Sequence, residues 1–333
     1  MRKLPALLLL SAVAVAATAR DTPPSQATPK QRVTYAYHSA FLMNLHHFLY
    51  DMAVNKDKLA KVVWHSAPDE QDMAAVRDAI TFYRTHYASL GLRDDPALVA
   101  IKRALSVDDA RSDVHGLGLP ANLEAVLSSV APAYARRLWP LHERSNRDWI
   151  AQASKLDAAY GAQIQAGIER HLGAAFPATP IRDDVVFDTG TRQGAYTDEQ
   201  MVMPSSRPSY QGLASLEMLY HEASHTTVTA ALEAALEARL KATGRNTDSD
   251  LWHLTQFYTV GAVTRDVLAR PGKLEYQPYA DKRGLYSGYW APFMPVIEAA
   301  WVPHMQGKLD LQSAARQMVD RLPPEKSAPT SPW

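Results

Sequence analysis

The chain has 333 residues, enough for one large domain or two medium-sized ones, and its apolar fraction of 47% is ordinary for a globular protein. The net charge is zero and no long run of Lys or Arg occurs, so the composition argues against nucleic acid or an anionic membrane as a partner. Cysteine is absent, which excludes disulfides and leaves His, Asp and Glu as the ligands for any metal.

Residues 1–19 have the pattern of a secretory signal peptide. Two basic residues precede an apolar stretch from 4 to 17, and Ala-Thr-Ala at 17–19 is a small-residue cleavage site. The alternative is an uncleaved membrane anchor, but the apolar run is short and rich in Ala. We therefore expect a secreted or periplasmic protein without membrane contact after cleavage. A flexible leader is expected over 20–32, which is rich in Pro, Ser and Thr.

Apolar residues spaced three and four apart predict helices over most of 33–175. The first helix is amphipathic and ends near Asn55, and Pro140 predicts a kink or a break between two long helices farther on. The first helix carries three histidines, His38, His46 and His47. We interpret them as hydrogen-bonded or partly buried side chains, and the alternative is that one of them lines a substrate cleft.

Short β-branched segments replace the helical pattern from about residue 176. Candidate strands cover 184–188, 195–197 and 200–204, and turn signals separate them. Together they predict a small mixed sheet, in which Pro204 suits the end of an edge strand because it has no N–H to donate. An edge strand would offer unpaired backbone groups to an extended peptide.

The helix predicted after this sheet contains the sequence H-E-x-x-H. His221 and His225 are four residues apart, so on a helix they share one face and one Zn²⁺ can bind both at roughly 2.0–2.1 Å. Glu222 projects about 100° round the helix axis, where it can act as the general base towards a water on the metal. The alternative is a chance pair of buried histidines.

A catalytic zinc ion usually has three protein ligands, so a third residue is needed. A helix is predicted over 251–270, and a helix hairpin would bring its His253 back across the two motif histidines. We therefore expect His253 to be the third ligand. Glu275 and Glu298 are the alternatives.

The H-E-x-x-H helix, with possible edge strands before it and a second metal-facing helix after it, resembles the zincin superfamily of metallopeptidases. The segment 251–270 is similar to that of uncharacterised secreted bacterial zincin-like proteins that have a His where gluzincins have Glu. The resemblance implies that His221 and His225 are zinc ligands and that Glu222 is the general base.

The expected fold class is mainly α. A helical region over 33–175 would precede a zincin-like α+β core over 176–322, with the small mixed sheet placed before the motif helix. Residues 323–333 are expected to form a disordered tail.

Three neutral imidazoles would leave zinc with its full charge of +2, so a bound water should have a pKa of about 7. Glu222 would take a proton from that water and pass it to the leaving amine. The negative charge that develops on the substrate oxygen needs a further hydrogen-bond donor. We favour Tyr286, in a Gly-rich loop, over the alternatives Tyr258, Tyr289 and His304.

These features favour a zinc-dependent hydrolase, namely a metallopeptidase that acts on peptides or proteins. Two other classes stay open: a zinc hydrolase of another amide or an ester, and a helical binding protein with a structural or vestigial metal site. A structural site would need a closed fourth ligand, for which Asp248 and His304 are candidates. An exchangeable water on the metal separates the catalytic from the structural class.

Overall fold

The computed structural model of the protein describes residues 31–247, 250–269 and 275–324. The predicted signal peptide, the leader up to residue 30, Asp248 and residues 325–333 of the predicted tail lie outside the described residues. Among the helices that are described, none combines the length and the apolarity needed to cross a bilayer.

Helices make up most of the described chain, as the apolar spacing predicts. Asp69 and Asp95 each accept a backbone N–H of the helix that follows them, which stabilises the start of α2 and α3. Pro140 lies in the first turn of α5, where no intrahelical hydrogen bond is lost, so the predicted break falls just before it. The five helices before residue 175 are α1 Phe41–Val54, α2 Glu70–His86, α3 Pro96–Leu105, α4 Ala121–Arg137 and α5 Trp139–Leu172.

Further α-helical segments follow the sheet. They include the helix predicted over 251–270, which begins at Leu251 and is described as far as Ala269. Their bounds are α6 Leu213–Ser224, α7 Ala230–Ala242, α8 Leu251–Ala269, α9 Tyr279–Lys282, α10 Met294–Val296, α11 Val302–Met305 and α12 Leu311–Asp320. A π-helical turn over Ile297–Trp301 joins α10 to α11, and 3₁₀ turns cover Leu59–Lys61, Pro208–Tyr210 and Ala291–Phe293.

Four strands form a small mixed sheet, which confirms the predicted fold class. The strands are β1 Tyr35–His38, β2 Ile181–Val186, β3 Tyr196–Thr197 and β4 Met201–Pro204, in the order β1-β2-β4-β3. The central strand β2 pairs in parallel with β1 and β4, whereas β3 pairs antiparallel with β4. The short strand β3 is therefore at the edge of the sheet.

Strand β1 occupies residues that the apolar spacing assigns to the start of the first helix. Tyr35 pairs with Ile181, in a distant part of the chain, so this strand depends on a partner that no local pattern reveals. Tyr37 lies on the same face as Tyr35 and packs edge-on against Trp149 of α5. The helix predicted from residue 33 consequently begins only at Phe41.

Each face of the sheet packs against a different cluster of buried apolar side chains. One cluster joins α5 to α6, α7, α8 and the C-terminal helices, and the other joins α1 to α4. Val185 belongs to the first cluster and Val186 to the second, because successive side chains of a strand point to opposite faces. This arrangement brings β3 and the loops of the first helices close to the end of α6.

Candidate metal centre

The motif helix α6 carries His221 and Glu222 in its last turn and ends directly before His225. The backbone of His225 keeps nearly helical angles, with φ of −67° and ψ of −10°, so the spacing of the two histidines on one face is preserved. The hydroxyl of Thr226 donates to the carbonyl of Ala223 at 2.7 Å. This side-chain bond competes with helix continuation, as expected for the β-branched run that follows.

The three predicted metal ligands lie together. Nε2 of His225 is 3.3 Å from Nε2 of His221, and two ligands at roughly 2.0–2.1 Å from a tetrahedral ion are about 3.3 Å apart. The ring centroid of His253 is 5.4 Å from that of His221 and 5.2 Å from that of His225. One ring nitrogen of each histidine lies within 4.8 Å of the other two. The three side chains could therefore hold a metal ion.

Helix α8 supplies His253, and its contacts with the end of α6 determine how the two helices align. The Nε2 group of Gln256 donates to the carbonyl of His221 at 2.9 Å and to Oγ of Ser224 at 2.5 Å. Phe257 stacks on the ring of His221 with 3.7 Å between centroids. Because these contacts lie one turn beyond His253, they place it on the face of α8 that meets the motif histidines.

The carboxylate of Asp250, just before α8, lies beside the imidazole ring of His253. Its Oδ1 lies 3.4 Å from Nδ1 of His253, and its Oδ2 accepts a hydrogen bond from Nε1 of Trp290 at 2.9 Å. Metal-binding histidines commonly direct their second ring nitrogen at a carboxylate, which orients the ring and increases its basicity. Because the carboxylate lies on the Nδ1 side of the ring, Nε2 is the nitrogen of His253 that we expect to bind a metal.

Glu222 is buried beside the histidines, with only 3% of its surface exposed. Its Oε2 accepts a hydrogen bond from Oγ1 of Thr197, on β3, at 2.9 Å. Burial raises the pKa of Glu222 to about 8, while the Thr197 hydrogen bond and the charge of Arg93 act in the opposite direction. A dication on the histidines would lower this pKa, because opposite charge favours the carboxylate. A carboxyl with a pKa near neutrality can both accept and release a proton.

The two motif histidines are held in the neutral form that binds metals. Burial, with a contribution from the neighbouring histidines, keeps the pKa of His221 well below its ordinary value, and burial lowers the pKa of His225 to about 3. Neither ring has to lose a proton near neutral pH before it can bind a cation. Nδ1 of His221 is buried without a hydrogen-bond partner among the described residues, so packing on Phe257 orients this ring.

The histidines and Glu222 line a cavity of about 270 Å³, close to the lower end of the range for ligand pockets. Its walls are largely aromatic and apolar, with contributions from Met218, Trp252 and Phe257. Arg93, from the loop between α2 and α3, is the only Lys or Arg among the described residues that line it. The cavity therefore combines a wall of potential metal ligands, an apolar wall and one positive charge.

Tyr286, the predicted hydrogen-bond donor to the substrate oxygen, is not brought to this cavity. Its ring centroid lies 6.0 Å from that of Tyr258 and 6.3 Å from that of Trp290. Among the described residues that line the cavity, neither Tyr286 nor Tyr258 appears. Tyr289, a further alternative, also packs against Trp290, at 6.0 Å between centroids.

Tyr210 and Tyr279 line the cavity instead. The hydroxyl of Tyr210 accepts hydrogen bonds from the backbone N–H of Ala195 at 3.0 Å and from the hydroxyl of Tyr279 at 3.4 Å. A hydroxyl has two acceptor positions and one donor hydrogen. With Tyr279 as the donor, neither of these two contacts uses the hydroxyl hydrogen of Tyr210.

The alternative metal ligands lie away from the three histidines. Glu275 and Glu298 are exposed at the surface. Both ring nitrogens of His304 contact backbone carbonyls, those of Leu309 and His171, at 2.9 Å each. Within the described residues, the cluster of potential metal ligands consists of three histidines.

The sequence analysis did not identify Arg93, Thr197 or Tyr210 as site residues. Thr197 lies in a predicted strand shortly before the motif helix, and this position could have indicated that it belongs to the site. Arg93 lies in an unremarkable loop more than a hundred residues before the motif, and no local pattern marks it. Only the tertiary contact between the two helical regions reveals its role.

The three histidines near α1 have partners of their own, which confirms their interpretation as hydrogen-bonded side chains. His47 supports the cavity indirectly, because its Nε2 contacts the hydroxyl of Tyr196, a lining residue, at 2.8 Å. The other contacts are His38 with Asp109 (2.9 Å), His46 with Tyr83 (2.9 Å) and His47 with the carbonyl of Met43 (2.8 Å).

Comparison with known proteins gives no match: no family model fits the chain, and no curated protein or solved structure is significantly similar to it. The case for a function therefore rests on the geometry of the three histidines, Glu222 and the cavity.

Proposed function

We propose that the protein is a zinc-dependent hydrolase that cleaves peptide amides, as a metallopeptidase does. The observation that supports this most directly is the convergence of three imidazole nitrogens within 4.8 Å of one another, at the wall of a cavity that Glu222 also lines. Imidazole ligands in a compact group favour zinc or its neighbours in the transition series over magnesium or calcium. Together with the predicted signal peptide, the proposal places this activity in the periplasm or outside the cell.

When bound, zinc would lower the pKa of a coordinated water to about 7 and polarise a substrate carbonyl. Glu222 accepts the proton of the attacking water, since its carboxylate lies next to His221 and is held by Thr197. The same side chain then donates this proton to the leaving nitrogen. Tyr210 donates its hydroxyl hydrogen to the oxygen on which negative charge develops, a role that the sequence analysis gave to Tyr286.

An open coordination position also favours catalysis over a structural role. Structural zinc sites normally have four protein ligands, whereas catalytic sites have three and leave a position for water. The described cluster has three, and Glu222, the proposed base, is the only other His, Asp or Glu among the described residues that line the cavity. Both ring nitrogens of His304, a candidate fourth ligand, are occupied by backbone carbonyls.

The test is digestion of a peptide library by the purified zinc-loaded protein, with products identified by mass spectrometry in the presence and absence of a chelator. We expect cleavage that the chelator abolishes. The variant Glu222→Gln should retain zinc yet lose hydrolysis by about 100-fold or more, because the amide cannot take up a proton. Glu237→Gln, an exposed change on α7, is the matched control and should retain full activity.

Three outcomes would contradict the proposal in whole or in part. Full activity in Glu222→Gln would rule out its role as the base. Tight zinc binding without any cleavage, and without an exchangeable water on the metal, would indicate a structural site. Cleavage of other amides or of esters but not of peptides would keep the hydrolase and reject the metallopeptidase.

A further inference from the structure

Arg93 lines the metal cavity, although it lies far from the three histidines in the sequence. It belongs to the loop between α2 and α3. His221 lies in α6, His225 follows that helix directly and His253 lies in α8. Its side chain is 41% exposed, and its ion pair among the described residues is with Asp94, the next residue, at 3.4 Å. An exposed pair of this kind contributes little. Most of the five N–H donors of the guanidinium are therefore directed to solvent or to the cavity.

The loop that carries Arg93 is held in place by other elements. Three of its backbone carbonyls accept side-chain hydrogen bonds: that of Ala88 from Arg192 at 2.9 Å, that of Leu90 from Tyr50 at 2.6 Å, and that of Arg93 from Lys102 at 3.3 Å. Lys102 is itself buried and paired with Asp198, the residue after Thr197. The backbone of Arg93 is thus tied, through Lys102 and Asp198, to the end of the strand that holds Glu222.

The cavity is lined by one acidic and one basic side chain, and the two have different surroundings. Glu222 is the only carboxylate among the described lining residues, and Thr197 already engages it. Arg93 shares the cavity with neutral aromatic and apolar side chains, among them Trp252 and Phe257. An arginine fork in such surroundings binds a carboxylate in two parallel hydrogen bonds more strongly than a solvated lysine would.

We propose that Arg93 binds the carboxylate of the substrate, so that the enzyme removes an apolar residue from the C-terminus of a peptide or from an N-acyl amino acid. The inference rests on the proposed function and gives its substrate class. In such substrates a carboxylate follows the scissile amide by one residue, so a fixed cation near the metal selects it. The apolar wall accepts the side chain of that residue.

Two zinc-chelating probes of equal size test the inference: a benzyl-substituted hydroxamate that carries a carboxylate and its neutral carboxamide analogue. Their dissociation constants are measured by isothermal titration calorimetry with the zinc-loaded protein. We expect the carboxylate probe to bind about tenfold more tightly to the wild type, the effect of one partly exposed charge-assisted contact. Arg93→Gln should abolish this preference, Arg93→Lys should retain part of it, and Arg103→Gln, an exposed change on α3, should leave it intact.

The neutral probe separates this inference from the proposed function. If both probes bind the wild type equally well, the zinc site stands and the role of Arg93 is overturned. If Arg93→Gln keeps the preference, another group binds the carboxylate and the inference is equally wrong. If neither probe binds although zinc is present, the cavity does not admit an acyl group at the metal and both proposals fail.

Discussion

Thr197 directs a single hydroxyl hydrogen at two oxygens of Glu222. Its Oγ1 lies 2.9 Å from Oε2 of the side chain and 3.0 Å from the backbone oxygen of the same residue. One hydrogen is shared between these two acceptors, in a three-centre bond or in alternation. Donation to Oε2 stabilises the carboxylate, and donation to the backbone oxygen leaves the carboxyl free to carry a proton. The edge strand thus provides Glu222 with a contact that tolerates both of its protonation states.

Thr197→Val should impair catalysis by changing the basicity of Glu222. The hydrogen bond from Thr197 lowers the pKa of this carboxyl against the effect of burial, so its removal raises the pKa. Since the base must be ionised, the acid limb of the profile of kcat/KM against pH should move upward by about one pH unit. Thr81→Val, on the exposed face of α2, serves as the control. An unchanged acid limb would show that this contact does not tune the base.

His253→Ala should remove the third metal ligand. We expect the metal retained after dialysis to fall by at least about tenfold, because two imidazoles alone hold zinc weakly. Elemental analysis of the dialysed protein measures this ratio. His115→Ala is the control, since that side chain is 79% exposed and distant from the cluster. Unchanged metal content in His253→Ala would indicate that Glu275 or Glu298 is the third metal ligand. Either residue would then have to move from its exposed position to reach the histidines.

Asp250→Asn should weaken metal binding without removing a ligand. Asp250 presents two oxygens to two N–H groups, those of His253 and Trp290, whereas an asparagine has one oxygen for both. We expect the dissociation constant for zinc to rise by about 10- to 100-fold, as is usual when the carboxylate behind a ligating histidine is lost. Competition with a fluorescent chelator measures it. Asp266→Asn on the same helix is exposed and should have no effect; equal losses in the two variants would argue against a specific role for Asp250.

Glu217 should make the stability of the protein depend on pH. Burial raises its pKa from 4.5 to about 7, although Tyr276 and the backbone N–H of Tyr279 donate hydrogen bonds to it. The folded state therefore keeps a proton that the unfolded chain releases above pH 4.5. By linkage, the free energy of unfolding falls as pH rises from about 4.5 to about 7 and is then constant with respect to this group.

Glu217→Gln removes this dependence, and urea unfolding at pH 5 and pH 8 measures it. The wild type should lose about 2 to 3 kcal/mol relative to the variant between these values, because other titrating groups cancel in the difference. The exposed Glu237→Gln provides the comparison and should show no such trend. A difference between wild type and Glu217→Gln that does not vary with pH would mean that Glu217 is ionised throughout this range.

Local patterns predicted the elements that depend on local interactions. The helices of the described chain follow apolar spacing and capping residues such as Asp69 and Asp95, which act within one turn. The end of α6 at the β-branched run after His225 is of the same kind. Strand β1 was missed because its stability comes from pairing with Ile181–Val186, far along the chain.

The amino-acid sequence by itself determined that this is a mainly helical protein with a small sheet, and it placed His221, Glu222 and His225 on one helix, because helical geometry converts spacing directly into direction. It also indicated His253 as the third metal ligand, because a helix hairpin of the predicted length would bring this residue back to the motif histidines. Only the tertiary structure decided which further side chains line the cavity: Arg93, Thr197 and Tyr210 come from distant segments and lie around it with the histidines. These contacts between distant segments depend on the packing of the whole chain, so the periodicity of a single segment does not predict them.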